Sequence, residues 1–142
     1  MPRLAALFAV ALVVALAPSA RADAIADDWK ALTGTWKIEK ATLGGQDMSE
    51  SLKTFVLTIE EGKYKLLTDA GTLAIEPDKK PKAMTIKGTD GPNKGKTFPA
   101  IYEIDKDTLT ICYDLSGKET PAAFESKSGT KLFLVTYKRE KK

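Results

Sequence analysis

The sequence predicts an all-β fold, an antiparallel up-and-down β-barrel of about eight strands behind an N-terminal signal peptide. Beyond residue 34, apolar and polar residues alternate with a period of two along short segments, and turns rich in Gly, Pro, Asp and Lys join these segments. No helical pattern is long enough for a crossover between parallel strands. Because sequential antiparallel strands remove their exposed edges best by closing on themselves, we favour a barrel over a two-sheet sandwich, the second architecture that the pattern allows.

Residues 1–22 have the pattern of a signal peptide. Arg3 supplies an early positive charge, an apolar run covers residues 4–17, and small residues precede the expected cleavage site. The run is too short to cross a bilayer core of roughly 30 Å as a helix. We expect cleavage between Ala22 and Asp23, which gives a periplasmic or secreted domain without stable insertion in the membrane.

The composition of the remaining domain, residues 23–142, excludes several classes of function. Removing the signal peptide takes away two arginines and no acidic residue, so the formal net charge falls from +3 to +1 and gives no electrostatic reason to expect nucleic acid. The chain has no histidine, which excludes Ser-His-Asp and Cys-His nucleophile pairs and histidine zinc ligands. Cys112 is the only cysteine, so there is no intramolecular disulfide, and we interpret it as a buried strand residue. We expect no catalytic site, no metal and no cofactor.

The first elements follow directly after the signal peptide. Residues 23–34 are predicted to form a short helical or irregular lead, with Asp27 and Asp28 near the helix start and Gly34 at its end. The period then changes to two at Trp36, which predicts a first strand over residues 35–43.

The rest of the chain is predicted to be strands, apart from one helical turn around Leu52. Gly62 lies in a hairpin turn at a position that favours positive φ, and the proline pair in residues 77–81 cannot continue a central strand. The predicted strands cover residues 54–60, 64–68, 71–77, 83–89, 97–105, 108–114 and 130–140, with a further short strand around Phe124.

Trp36 is the predicted plug at the closed end of the barrel. A tryptophan buries about 200 Å² while its N–H bonds to backbone, and Gly34 lets the lead pass close beneath it. This "GTW" triplet resembles the G-x-W signature of lipocalins and related calycin barrels. In that family an Arg or Lys near the last strand packs across the tryptophan, so the resemblance implies that Arg139 or Lys138 does so here.

A longer resemblance extends over nearly all of residues 23–142. The stretches "PDKKPKAMTI", "GPNKGKT", "IYEIDKDTLTIC" and the final "KRE" are similar to a family of exported lipocalin-like domains of uncharacterised function that is expanded in planctomycete bacteria. The resemblance implies a barrel fold and export. It brings no catalytic residues and no cofactor.

One set of side chains on neighbouring strand faces is the predicted ligand-binding surface. If this face points inward, it lines a pocket for a small apolar or amphipathic ligand. The alternative is a filled core, in which case the barrel is a structural or protein-interaction module that meets another protein of the cell envelope. The residues concerned are Phe98, Tyr102, Leu109, Ile111 and Tyr113.

Two charged or polar clusters offer weaker interpretations. Three residues could give oxygen ligands to calcium, although their spacing matches no known loop, and three lysines could contact anionic lipid or polysaccharide. Charged turns more often keep a β-protein soluble and unpaired. The first cluster is Asp90, Asn93 and Asp114, and the second is Lys79, Lys80 and Lys82.

Overall fold

The computed structural model describes residues 16–140 of the chain. Within this range there are two α-helices, nine strands and one short 3-10 helix. In chain order they are α1 (Leu16–Leu32), β1 (Gly34–Leu43), β2 (Gln46–Asp47), α2 (Ser49–Leu52), β3 (Val56–Glu60), β4 (Lys63–Leu66), β5 (Asp69–Glu76), β6 (Lys82–Asp90), the 3-10 helix Gly91–Asn93, β7 (Thr97–Asp105), β8 (Thr108–Asp114) and β9 (Leu132–Arg139).

Eight of the strands close into an antiparallel barrel. From β3 to β9 each strand pairs with the next one along the chain, and β1 pairs with both β3 and β9 to close the sheet. The two-residue strand β2 forms only a small hairpin with the end of β1. The predicted up-and-down barrel is therefore confirmed, and the two-sheet sandwich is wrong.

Strand β1 contains a bulge that the alternating pattern did not predict. Its register with β9 shifts between Ile38 and Lys40, which leaves Glu39 as an extra residue. Beyond the shift Ala41, rather than Lys40, is buried. Such a bulge bends a strand. Before the bulge β1 pairs with both β3 and β9, and beyond it β1 continues along β9.

The two ends of the barrel are covered by different elements. The β3–β4, β5–β6 and β7–β8 turns lie at the end where β1 begins, together with α1, and we call this the α1 end. The opposite end, which we call the α2 end, carries α2, the 3-10 helix and the loop of residues 115–131. Side chains fill the interior at the α1 end, where the completely buried residues include Leu32, Trp36, Tyr102 and Leu109.

The N-terminal lead is a longer helix than the sequence indicated. Asp27 and Asp28 lie near the end of α1 and not at a helix start, so that prediction was wrong, and Asp28 instead forms a partly buried ion pair with Lys82. The bond between Ala22 and Asp23 lies within α1, and residues 1–15 of the signal peptide lie outside the described residues, so cleavage stays a prediction. No helix within residues 16–140 is long and apolar enough to cross a membrane.

The short strand predicted around Phe124 does not form. Residues 115–131 contain turns and bends but no strand. In the closed barrel β8 already pairs with β7 and β9, so this segment has no strand edge beside it to join. The other predicted strands agree with the observed ones to within two residues at each end, and β7 and β8 agree at both ends, whereas β2 was not predicted.

Candidate functional site

A cavity of about 100 Å³ lies inside the barrel toward the α2 end and is partly open to solvent. Each of the strands β3 to β9 contributes inward-facing side chains to its wall. These side chains do not fill this half of the barrel completely, and the remaining space is the cavity. Most of the wall is aliphatic or aromatic. Its polar atoms come from Tyr64, Asp69, Asn93, Tyr113 and Tyr137.

Asp69, at the start of β5, is the centre of the first polar group in the wall. Its Oδ2 accepts a hydrogen bond of 2.9 Å from the side-chain amide of Asn93 and one of 3.3 Å from the hydroxyl of Tyr64. Its Oδ1 is buried and has no hydrogen-bond partner among the residues that the structure describes. Within the described residues, Oδ2 of Asp69 is therefore hydrogen-bonded to protein groups and Oδ1 is not.

Two glycines allow this group to assemble. A Cβ atom at Gly88 would overlap the carbonyl oxygen of Asn93, so the 3-10 helix folds back against β6 only because this position has no side chain. A Cβ at Gly71 would lie 2.8 Å from Cε1 of Tyr64. The register of β5 with β6 also shifts between Ala70 and Gly71, next to Asp69. Close backbone approach therefore brings β4, β5 and the 3-10 helix together at the carboxylate.

The second polar group is a pair of tyrosines on β8 and β9. The hydroxyl oxygens of Tyr113 and Tyr137 are 2.6 Å apart, so one donates a hydrogen bond to the other. The ring of Tyr113 also stacks on Phe133, with centroids 5.7 Å apart and an angle of 29° between the planes. These contacts fix both phenols in the wall.

The tyrosines of the wall are held in their neutral form. Burial, followed by the charge and hydrogen bond of Asp69, raises the pKa of Tyr64 to about 12. Burial raises the pKa of Tyr113 well above its ordinary value, with further increases from Tyr137, and burial also raises the pKa of Tyr137. At neutral pH each phenol therefore keeps its proton and can donate a hydrogen bond.

The five residues that the sequence offered for ligand binding do not all meet in this cavity. Phe98, Ile111 and Tyr113 line it, whereas Tyr102 and Leu109 do not and are completely buried at the α1 end. All five are at least partly buried, as the alternation indicated. Alternation predicts which face of a strand points inward, but it does not predict how deep in the barrel a residue lies.

The sequence interpretation did not place Tyr64 or Asp69 at a site. Asp69 lies between the predicted strands of residues 64–68 and 71–77, and Asn93 was considered only as a calcium ligand. Asn93 instead donates to Asp69, and Asp114 accepts hydrogen bonds from the backbone of Ser116, Lys118 and Glu119 in its own loop. The one sequence signal for the Asp69 group is the pair of glycines at positions 71 and 88, within strands where a side chain is expected.

At the α1 end the guanidinium of Arg139 lies 4.2 Å from the ring centroid of Trp36. It also donates to the carbonyl oxygens of Ala31 and Thr33 at the end of α1, while the indole N–H donates to Leu32 at 2.9 Å. Gly34 has a φ of +139°, and a Cβ there would lie 2.7 Å from Nη1 of Arg139. Arg139 thus covers the tryptophan and caps the helix at once.

Lys138 does not take part in this closure. It is exposed on β9, with its neighbours Tyr137 and Arg139 on the inward side of the strand. Of the two residues that the resemblance allowed, the structure therefore places Arg139 against the tryptophan.

Asp28 joins α1 to the barrel. Its Oδ2 accepts a hydrogen bond of 2.7 Å from the hydroxyl of Tyr102 and lies 3.0 Å from Nζ of Lys82. Burial, then the hydrogen bond and charge of Asp28, raise the pKa of Tyr102. Lys82 therefore pairs with a residue of α1, whereas Lys79, 3.2 Å from a carboxylate oxygen of Glu76, remains exposed, and the contact of the three lysines with anionic partners stays a prediction.

Cys112 is buried on β8, as predicted. Its Sγ donates a hydrogen bond of 3.4 Å to the carbonyl oxygen of Glu125, and burial raises the pKa of the thiol. A thiol of this kind is held in its unreactive, protonated form.

No protein-family model, curated protein or solved structure matches this chain. The class is defined by the fold alone, a closed eight-strand barrel consistent with lipocalin-like architecture. The family resemblance drawn from the sequence remains an expectation, so the function has to be argued from the cavity.

Proposed function

We propose that this protein is an exported, non-enzymatic binding protein that holds a small amphipathic ligand in the cavity at the α2 end of its barrel. The observation that carries the proposal is the convergence of polar atoms in an otherwise apolar wall, with Asp69, Asn93 and Tyr64 in contact with one another. Concave apolar sites with a few convergent polar groups are typical of small-molecule binding.

The wall gives the ligand two distinct environments. Aromatic and aliphatic side chains, among them Phe98, Ile111 and Phe133, would contact an apolar part. The carboxylate group on one side and the tyrosine pair on the other would orient a polar part. These groups suit recognition rather than a covalent reaction, because the phenols are held neutral and the carboxylate is engaged by hydrogen bonds.

The size of the cavity limits the ligand. A volume of about 100 Å³ is below the roughly 300–1,000 Å³ of typical sites for drug-sized molecules. We therefore expect either a very small ligand or one end of a longer molecule, whose remainder leaves through the open side. The signal peptide of residues 1–22 would deliver the barrel to the periplasm or the exterior, where such a ligand is met.

Binding can be tested with an environment-sensitive apolar dye and a variant that fills the cavity. We expect saturable, one-site binding of the dye to the wild-type protein, with one apolar end of the dye in the cavity and the remainder outside its open side. Leu66→Trp should abolish it, because Leu66 is partly buried in the wall and the larger ring occupies the available volume. Lys65→Trp is the matched control, since Lys65 is exposed on the same strand. Fluorescence titration measures both.

The same titration separates this proposal from a second candidate, a structural or protein-interaction module of the cell envelope. The completely filled interior at the α1 end and the small cavity volume favour that alternative. Absence of saturable binding to the wild-type protein of both the dye and small four-carbon probes, or equal dye binding by Leu66→Trp, would reject the ligand-binding function and leave the packed module.

A further inference from the structure

We propose that the cavity selects small organic cations, an ammonium group on a short apolar tail, and that the ammonium binds at the carboxylate of Asp69. The inference rests on the proposed ligand-binding function and names the chemical class of the ligand. Its basis is the asymmetry of one carboxylate: Oδ2 accepts two hydrogen bonds from protein, while Oδ1 is buried without a partner among the described residues.

A buried acceptor without a donor destabilises the folded protein, and a buried charge does so more strongly. A ligand that donates a hydrogen bond to this carboxylate would offset that cost. Of the described residues that line the cavity, none is Lys or Arg, and the two donors to Asp69 are the neutral amide of Asn93 and the neutral phenol of Tyr64. The wall thus offers dipoles to the carboxylate but no positive charge.

An ammonium group supplies what the wall lacks. It carries the opposite charge and three donors, and a charge-assisted hydrogen bond is roughly twice as strong as a neutral one. A neutral alcohol supplies a donor without the charge, and an anionic head is repelled by Asp69. From electrostatic complementarity we therefore expect affinity to decrease in the order ammonium, alcohol and carboxylate for ligands with these head groups.

The rest of the wall suits an organic cation rather than a metal ion. Aromatic rings of Tyr64, Phe98 and Tyr113 belong to the wall, and the faces of such rings attract cations. The remainder is apolar and can bury a hydrocarbon tail. The cavity, about 100 Å³, is smaller than the engineered cavity of about 150 Å³ that holds benzene, so a tail of about four carbons is a suitable length for a probe.

Three probes with the same tail test the selectivity: butylammonium, 1-butanol and butyrate. The protein is purified after expression of the full-length chain, and binding is followed by NMR, with the side-chain amide of Asn93 as the local reporter. We expect butylammonium to bind at least about tenfold more tightly than 1-butanol and butyrate to bind most weakly. Equal affinities, or tighter binding of butyrate, would overturn the inference. This comparison uses only the wild-type protein, so it does not depend on the folding of any variant.

Asp69→Asn then assigns the selectivity to one residue. The amide keeps the shape of the carboxyl group and removes the charge, so affinity for butylammonium should fall about tenfold or more, while affinity for 1-butanol changes by less than about twofold. Asp90→Asn, at an exposed carboxylate at the same end of the barrel, is the control and should leave both affinities unchanged. An unchanged preference in Asp69→Asn would overturn the assignment.

The dye experiment keeps the two proposals distinguishable. Saturable dye binding with no preference for butylammonium rejects selection of a cation and leaves the ligand-binding cavity in place. If neither the dye nor any of the three probes binds, both proposals fail together.

Discussion

Trp36 and Trp29 are the two tryptophans of the chain, and they differ in how much of the fold depends on them. Trp36 is completely buried, donates to the carbonyl of Leu32 and lies under Arg139, whereas Trp29 is partly buried on α1. Loss of a buried aromatic side chain to alanine destabilises a protein by about 3–5 kcal/mol, a large part of the stability of a small domain.

We therefore expect Trp36→Ala to lower the free energy of unfolding by about 3–5 kcal/mol and Trp29→Ala to lower it clearly less. Both substitutions remove the same atoms, so each serves as the control for the other. Urea denaturation followed by far-ultraviolet circular dichroism measures both. Equal losses would contradict the interpretation of Trp36 as the plug of the barrel.

Individual residues also show where sequence reasoning reaches its limit. The G-x-W triplet was enough to place Trp36, but it left Arg139 and Lys138 as alternatives. Strand parity separates them: in β9 Tyr137 is buried and Arg139 lies opposite Trp36 in the register, so Lys138 between them points outward. The alternation of inward and outward residues along β9 can be read from the sequence. That Arg139 lies opposite Trp36 was shown only by the structure.

At the scale of elements, local signals predicted most of the barrel because tight turns and alternation are local properties. The bounds of β8 agree with the prediction, and the ends of β1 differ by one residue at most. The bulge at Glu39 and the depth of Tyr102 were not predicted, since both depend on which strands become neighbours across the barrel. The same holds for the group around Asp69, which joins β4, β5 and the 3-10 helix through two close backbone approaches.

The attachment of α1 to the barrel can be tested at the hydrogen bond between Tyr102 and Asp28. Tyr102→Phe keeps the ring in the core and removes the 2.7 Å bond, so one donor to a buried carboxylate is lost. We expect a loss of about 1–3 kcal/mol in the free energy of unfolding, and faster hydrogen exchange confined to α1 and its contacts.

A double-mutant cycle provides the control for this contact. Because Asp28 and Tyr102 interact directly, the combined variant Asp28→Asn, Tyr102→Phe should lose less stability than the sum of the two single losses. Strict additivity of the two would show that the contact does not hold α1 against the barrel.

At the scale of the whole molecule, all four tyrosines of the chain respond to pH in the same direction. Burial raises the pKa of Tyr64 to about 12 and raises the pKa of Tyr102, Tyr113 and Tyr137 above the ordinary value of 10.0. For an acid whose pKa is raised by folding, the folded state favours the neutral form. The resulting stability is fully present below pH 10.0 and is lost as the pH rises through the raised values.

We expect no tyrosinate absorbance from the native protein near pH 10.0, where exposed tyrosines ionise. Absorbance should begin near pH 12 with Tyr64, and it should rise together with the loss of the circular dichroism signal, because the other three phenols ionise only as the barrel opens. Tyr64→Phe removes the group expected to ionise first, so in this variant the early part of the absorbance change should disappear. If even one tyrosine of the wild-type protein ionises reversibly near pH 10.0 while the circular dichroism is unchanged, at least one phenol is exposed to solvent, and the burial that raises the four pKa values is contradicted.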